Sequence, residues 1–255
     1  MAMGKTRLLV TASTFPRWRN DTEPRFIFDL CRYLEEYYDV TVLVPAAPGA
    51  AAVERVEGMT IRRFRYFPVE SLQTLAYPGA IVPRIRERKA RALLVPFLFL
   101  AEYAATRRAM KDCDVVLVNW FVPQGVVQYF LSRRRPYVVT GHGGDVTSLN
   151  FPPVRQIKQG LIDRAGGVVT VSEDLKAVLR SRYRHTDDVR VIPMGVDLGF
   201  YGPQDRDQSL RTSSRPVVLF VARMVEKKGT RDRPAAVSST HLTLPTTRQV
   251  PIWRS

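Results

Sequence analysis

The sequence predicts an α/β fold in which a doubly wound, mostly parallel sheet is covered by helices on both faces. Three observations predict it. Short β-branched apolar runs alternate along the chain with segments of helical periodicity, as they do in strand–helix–strand units. Most of these runs are apolar throughout, which is typical of strands buried on both faces of a parallel sheet. Polar residues and glycines follow several runs, and open α/β sheets bind ligands beyond the carboxyl ends of their strands.

Seven apolar runs are predicted as strands, beginning with RLLVTAS at residues 7–13. The segment MTIRRFRYF at residues 59–67 is more polar than the others, so we expect it near an edge of the sheet. The other runs are residues 40–46, 115–120, 137–142, 167–172 and 189–195.

Five segments between these runs are predicted as helices. In EPRFIFDLCRYLEEYY, large apolar residues recur every three to four positions, and Pro24 suits a first helical turn. The remaining helical segments are residues 84–110, 123–134, 154–164 and 173–183. Because strands and helices alternate, we expect consecutive strands to run parallel with helices as crossovers.

The composition indicates a globular protein with a strong positive charge. Of the 255 residues, 45% are hydrophobic and 25% are charged, and the length suffices for one large domain or two modest ones. The formal net charge of +15 favours an anionic partner. Nucleic acid, an acidic lipid surface and a phosphorylated ligand would each satisfy that preference.

Cysteine and histidine usage indicates a reducing compartment and no metal site. Cys31 and Cys113 make no disulfide framework, and no Cys/His group has zinc-ligand spacing. No apolar run reaches the roughly 20 residues of a membrane-spanning helix. The apolar run near the N-terminus is too short for a signal peptide. We therefore expect a cytoplasmic protein, either soluble or peripheral at the inner face of the membrane.

Polar residues and glycines at the ends of the predicted strands would share one rim if the strands are parallel. They are Ser13, Thr14, Asn119, His142, Gly143, Gly144, Asp145, Ser172, Glu173, Gly195 and Asp197. Turn formation and helix N-capping account for Ser172 and Gly195. For His142 and Asp145, which bracket two glycines, a binding site is favoured, because such a histidine can contact a ligand hydroxyl or phosphate.

Several common motifs are absent from the sequence. The turn after the first strand reads STFPRWRND rather than GxGxxG, and the chain has neither a Walker lysine loop nor a GxSxG elbow. These absences disfavour a hydride-transfer enzyme and a phosphate-loop NTPase.

Four segments resemble, in order and spacing, the family-4 retaining glycosyltransferases of the GT-B fold. They are YVVTGHGGDV, GVVTVSEDLKAVL, VRVIPMGVDLGFY and VVLFVARMVEKKG, and the likeness extends over roughly residues 5–229. In that family two Rossmann-like domains face each other across a cleft. The N-terminal domain mainly holds the acceptor and the C-terminal domain a nucleotide-sugar, and the reaction needs no bound metal or other cofactor.

The resemblance implies roles for individual residues. His142 matches the histidine of the HGxD motif, expected near the transferred sugar, and Asp145 matches its aspartate, so both are the catalytic candidates. Arg223 and Lys228 match the basic pair on the donor diphosphate, where fixed cations stabilise the departing charge. The candidates for lining the cleft or holding the acceptor are Thr14, Arg17, Asp21, Asn119, Gly143, Gly144, Glu173 and Asp197.

The resemblance also implies a division of the chain. Residues 1–197 correspond to the acceptor-side domain, 198–215 to a linker, and 216–229 to the first strand and basic turn of the donor domain. Residues 230–255 read as a non-native or disordered tail, and the paired glutamates of the family's donor domain have no counterpart. The parent enzyme is expected to move a sugar from a nucleotide-sugar to a saccharide or lipid-linked acceptor, and this chain is expected to be inactive or nearly so.

Two other interpretations stay open. One is a basic α/β module that binds nucleic acid, although the basic residues are dispersed and carry no recognised signature, so no nucleic-acid partner is expected. The other is a domain that binds a small molecule without turnover.

Residues 83–108 place five basic residues before an apolar run and also allow two interpretations. The segment could be an element that meets an anionic membrane surface, with each cation contributing about 1 kcal/mol. It could equally be a core helix with a solvated basic turn and a kink at Pro96.

Overall fold

The structure is a computed structural model that describes residues 4–79 and 81–196. The predicted site residues Asp197, Arg223 and Lys228 lie outside the described residues. So do the predicted linker, the first strand of the donor domain and the tail.

The described residues form one sheet of eight strands in the order β3-β4-β2-β1-β5-β6-β7-β8. Six of the seven neighbouring pairs in this part of the chain are parallel, and only β3 and β4 are antiparallel. The strands are β1 (Thr6–Thr11), β2 (Tyr38–Pro45), β3 (Val53–Val56), β4 (Met59–Phe64), β5 (Val115–Asn119), β6 (Tyr137–Gly141), β7 (Gly167–Thr170) and β8 (Arg190–Val191). The predicted doubly wound, mostly parallel sheet is therefore confirmed.

The strand order reverses between β1 and β5. From β1 the chain first builds outward through β2 and β4, then crosses to β5 on the other side of β1 and continues through β6, β7 and β8. In open α/β sheets this topological switch point leaves a crevice at the carboxyl ends of the two strands, where ligands bind.

The sequence analysis missed β3, the edge strand. Its four residues, VERV, are short and largely polar, and their exposure gives no long apolar run. They pair with β4 through a two-residue turn at Glu57 and Gly58, both with positive φ (48° and 84°), as a tight hairpin turn requires. The polar segment expected near an edge accordingly lies one strand in from it. At the other edge, β8 spans only two of the seven residues predicted at 189–195.

The described residues include seven α-helices. They are α1 (Phe26–Leu34), α2 (Ile81–Glu87), α3 (Val95–Ala109), α4 (Val126–Leu131), α5 (Gly144–Thr147), α6 (Pro152–Arg164) and α7 (Glu173–Arg182). The helix predicted at residues 84–110 is broken at Arg88, whose backbone is extended (φ −144°, ψ 103°), and a 3-10 turn at Lys89–Leu94 follows. Pro96 lies in the first turn of α3, where its missing N–H is harmless, so it does not kink the helix.

Both faces of the sheet are buried, as the apolar runs predicted. On β1, Leu8 and Val10 belong to one apolar cluster, with Ile27 of α1, whereas Leu9 belongs to the other. Alternate residues of a strand point to opposite faces, so one apolar strand serves two cores. Among the described helices, none is both long enough and apolar enough to cross a membrane.

Candidate functional site

The carboxyl ends of β1, β5 and β6 are joined by a short relay of hydrogen bonds. Asn119, the last residue of β5, is fully buried, and its Nδ2 donates to the carbonyl oxygen of Thr11 at the end of β1, 3.3 Å away. Its Oδ1 lies 3.1 Å from Nε2 of His142, which follows β6. One side chain thus spans the switch point and orients the histidine.

This relay fixes the tautomer of His142. Because Asn119 presents its oxygen to the ring, Nε2 must carry the proton, and Nδ1 is left as an acceptor. Nδ1 has no hydrogen-bond partner within residues 4–79 and 81–196. Burial lowers the pKa of His142 to about 4, so the ring is neutral at pH 7.

Two aromatic rings hold the imidazole. The ring of Trp120 lies 4.7 Å from it between centroids, and the ring of Phe26, the first residue of α1, lies 5.5 Å away. Trp120 adopts a positive φ of 70°, which is strained for an aromatic residue. A backbone outlier of this kind, supported by a packed ring, is typical of functional sites.

The carboxylate of Asp145 organises the loop that carries His142. It accepts backbone N–H groups from Phe121 (2.9 Å), His142 (3.1 Å) and Gly143 (2.8 Å). Burial raises the pKa of Asp145, and these three N–H groups oppose that shift by stabilising the ionised form. Both carboxylate oxygens are thus engaged, and Asp145 holds the loop in position.

The two glycines of this loop present bare backbone to open space. Gly143 has a φ of 146°, which side-chain-bearing residues rarely adopt. A Cβ placed on Gly143 or Gly144 would meet no atom within 4 Å. A ligand could therefore approach the backbone closely next to the ring of His142.

Lys158 of α6 holds the same loop through hydrogen bonds. The sequence analysis did not identify Lys158 as a site residue. It is fully buried, and its Nζ donates to the carbonyl oxygens of Asp145 (2.6 Å) and Ser148 (2.7 Å) and to Oδ1 of Asn150 (3.2 Å). Burial lowers its pKa to about 8. The signal was present in the sequence: Lys158 lies three residues before Leu161, on the buried stripe of α6.

Arg17 and Asp21, predicted to line the cleft, bind each other. Two of their contacts measure 2.6 and 2.8 Å, and the backbone N–H of Arg17 also donates to the carboxylate, at 2.8 Å. Burial raises the pKa of Asp21, but the hydrogen bonds from Arg17 prevail and hold that pKa at about 2. The described contacts link this pair to Trp18, Tyr77 and Arg63, and none links it to His142.

Two further candidates for lining the cleft, Thr14 and Glu173, are not fully buried. Thr14 is half-buried in the loop after β1, and Glu173 is exposed in the first turn of α7. Ser172 caps α7 by accepting the N–H of Leu175 at 3.3 Å, as predicted. In the part of the chain that the structure describes, no group of three His, Cys, Asp or Glu side chains could hold a metal ion.

The rim therefore consists of a fixed neutral histidine, an orienting asparagine and a glycine backbone, all at the switch point. A sequence model described as Glycosyltransferase Family 4 matches residues 24–200, which include the whole of this rim.

The chain belongs to Glycosyltransferase Family 4.

One solved structure with a TM-score above 0.5 shares the fold, and a second match is weaker. A UDP-forming α,α-trehalose-phosphate synthase from Burkholderia xenovorans matches with a TM-score of 0.59 and 13% identity, over 92% of this chain and 60% of the synthase. HepE from Anabaena, solved with UDP and glucose, matches with a TM-score of 0.48 and 18% identity, over 81% of this chain and 49% of HepE. A comparison with curated protein sequences finds no match.

Within Glycosyltransferase Family 4, the described part of the chain is the N-terminal, Rossmann-like domain of the GT-B fold. The chain spans about half the length of HepE. Of the predicted site residues, the fold brings together Asn119, His142, Gly143 and Asp145, and it keeps Arg17 and Asp21 as a separate pair.

Proposed function

We propose that the chain supplies the acceptor-side domain of a retaining glycosyltransferase, which moves a sugar from a nucleotide-sugar donor to a saccharide or lipid-linked acceptor. One observation carries the proposal: the hydrogen-bonded rim at the switch point, where His142 offers an acceptor nitrogen beside bare glycine backbone. Hydroxyl-rich ligands are bound by such convergent polar groups in a crevice.

The role proposed for His142 is a hydrogen bond to a hydroxyl of the transferred sugar. A general base works best when its pKa lies near the working pH, and burial lowers the pKa of His142 to about 4. The ring is therefore a poor base at pH 7 but a well-oriented acceptor. Asp145, predicted as catalytic, is proposed instead as a positioning residue because three backbone N–H groups occupy its carboxylate.

The donor side of the proposal rests on residues outside the described part of the chain. Arg223 and Lys228 are proposed to bind the diphosphate, whose charge grows as the glycosidic bond breaks. Fixed cations at that position take the part that a divalent ion plays in other enzymes, so no cofactor is proposed. In an enzyme with a complete donor domain, removal of one such cation is expected to lower the rate about 100- to 1000-fold.

We also propose that the 255-residue chain alone transfers sugar slowly or not at all, because the family's paired donor-binding glutamates have no counterpart in its sequence. A cytoplasmic location is proposed as well. It is supported by Cys31 and Cys113, which are both buried and unpaired in the described residues.

Ligand-observed NMR with a panel of oligosaccharides and nucleotide-sugars tests the rim. We expect binding that weakens about tenfold in His142→Ala and is unchanged in Arg134→Ala, an exposed control. Binding to no member of the panel, or equal binding by His142→Ala, would contradict the proposal. A steeply salt-dependent affinity for duplex DNA would favour a nucleic-acid-binding module instead.

A further inference from the structure

Helix α3 and the 3-10 turn before it carry large apolar side chains on the outer side as well as on the buried side. The buried face of α3 consists of Leu98, Glu102, Thr106 and Ala109. The outer face exposes Leu93 (76%), Phe97 (48%) and Leu100 (68%). These three are four and three positions apart, the spacing of neighbours on one helical face. The apolar residues of a surface helix ordinarily face inward, as Leu98 does, so three large ones on the outer side are unusual.

The polar side chains on the inner face are accommodated without charge. Among the described residues, Glu102 Oε2 and Thr106 Oγ1 have no hydrogen-bond partner, nor do the amide atoms of Gln128 on α4. Burial raises the pKa of the Glu102 carboxyl to about 8, so it is protonated at pH 7. Helix α3 thus buries two polar side chains beside Leu98, while three large apolar side chains stay exposed on its outer side. Phe97 also contacts the ring of Phe67 edge-on, at 5.3 Å between centroids.

Free cations lie immediately before this apolar stripe. Arg84 and Arg91 are engaged, since each contacts Glu87 (2.9 and 2.8 Å). The side chains of Arg86, Arg88 and Lys89 are exposed. Within the described part of the chain, none of those three forms an ion pair.

We propose that the α3 ridge is a docking surface for an anionic lipid bilayer. The α3 ridge is Arg86, Arg88, Lys89, Leu93, Phe97 and Leu100. Apolar side chains beside cations are the arrangement with which peripheral helices enter the boundary between acyl chains and anionic headgroups. A second copy of the chain fits less well, because a self-complementary contact would bring the cations of both copies together.

The α3 ridge favours the membrane-surface interpretation, one of the two that the sequence left open for this segment. Leu98 packs in the core, as a core helix requires, whereas Leu93, Phe97 and Leu100 are exposed, as a membrane-facing surface requires. The inference goes beyond the proposed sugar transfer and stands or falls independently of it, because vesicle binding needs neither donor nor acceptor.

Sedimentation of the 255-residue chain with lipid vesicles tests the docking surface. One set contains about one-third phosphatidylglycerol in phosphatidylcholine and the other phosphatidylcholine alone, both in about 0.1 M salt. We expect at least about tenfold stronger partitioning onto the anionic vesicles, weakening as the salt approaches 1 M. Equal partitioning onto both sets, or onto neither, would overturn the proposal.

Two triple variants locate the surface, each with a matched control of equal composition or charge. Arg86→Ala with Arg88→Ala and Lys89→Ala should lower anionic partitioning by on the order of 100-fold, whereas Lys111→Ala with Arg133→Ala and Arg134→Ala should change it little. Leu93→Gln with Phe97→Gln and Leu100→Gln should abolish it, whereas Leu72→Gln with Phe130→Gln and Leu149→Gln should not. All control positions are exposed.

Each alternative outcome is distinguishable. If the ridge triple of Arg86, Arg88 and Lys89 and its control triple lose equal amounts of vesicle binding, net charge alone drives binding. The ridge would then not be the site. Light scattering supplies the second readout. If the Leu93, Phe97 and Leu100 changes break an oligomer while vesicle binding persists, the ridge is an interface between copies of the chain, and the lipid proposal is overturned.

Discussion

The domain contains two buried polar clusters that differ in how completely their hydrogen bonds are made. At the rim, Asp145 accepts three backbone N–H groups and Asn119 uses both ends of its amide. Beneath α3, by contrast, polar atoms of Glu102 and Thr106 have no partner among the described residues.

A fully bonded cluster admits one arrangement, whereas a partly bonded one is held in place mainly by the packing around it. The comparison shows that buried polar residues in one domain can have different structural roles. The rim fixes a ring in one tautomer and orientation, as a binding site requires. The α3 cluster lies beside Leu98 on the inner face of a helix and leaves part of its hydrogen-bonding capacity unused. Breaking the first should therefore be far more damaging than neutralising the second.

Asp145→Ala is expected to have the largest effect. It leaves the buried N–H groups of Phe121, His142 and Gly143 without their acceptor, and each unpaired group costs about 1–3 kcal/mol. We expect the free energy of unfolding in urea to fall by about 3 kcal/mol or more. Asp188→Ala, at an exposed position, is the control. A loss below about 1 kcal/mol would show that the carboxylate does not organise the rim.

Lys158→Met is expected to follow, with a loss of about 2 to 3 kcal/mol. Methionine fills similar space but leaves the carbonyl oxygens of Asp145 and Ser148 without the buried ammonium that they now accept. The same urea titration measures the loss, with Lys176→Met as the control. If Lys158→Met were as stable as the parent chain, the loop would be held without this lysine.

Glu102→Gln tests the α3 cluster through pH. Burial raises the pKa of Glu102 from 4.5 to about 8, so between these values the folded chain binds a proton that the unfolded chain has released. Stability contributed by the protonated form is therefore lost as pH rises through that window. We expect the stability of Glu102→Gln relative to the parent to rise by about 2.5 kcal/mol between pH 5 and pH 7. An unchanged pH profile would mean that the carboxyl is not held neutral.

At the rim, the pH dependence of the free energy of unfolding should have the opposite sign and a smaller size. Burial lowers the pKa of His142 from 6.5 to about 4, so between these values the unfolded chain binds a proton that the folded chain does not. Stability is then lost as pH falls from 6.5 toward 4. We expect about 1.5 kcal/mol of extra loss between pH 6.5 and 5 in the parent relative to His142→Gln. Parallel profiles in the two chains would argue against a buried neutral ring.

Much of the fold could be predicted because burial on both faces of a sheet leaves unbroken apolar runs. The edge strand β3 was not predicted, because an exposed strand of four residues has no such apolar run. The break at Arg88 was not predicted, because helical periodicity continues across it. Only the extended backbone at Arg88 separates α2 from the following 3-10 turn.

The candidate site was predicted in part, for a related reason. Strand ends and glycines identified His142 and Asn119, since topology alone brings strand ends together. The sequence could not show that Arg17 and Asp21 neutralise each other, because their contact depends on the path of the loop after β1. Nor could it show that Asp145 faces backbone N–H groups.

The relay from Thr11 through Asn119 to His142 is the central claim, and long-range 15N–1H NMR of the histidine ring tests it most directly. His142→Gln assigns the signals, and the spectra are followed from pH 7 to 4. We predict a neutral ring protonated on Nε2 down to about pH 4. A ring protonated on Nδ1 at pH 7, or one that becomes cationic near pH 6.5, would contradict the account.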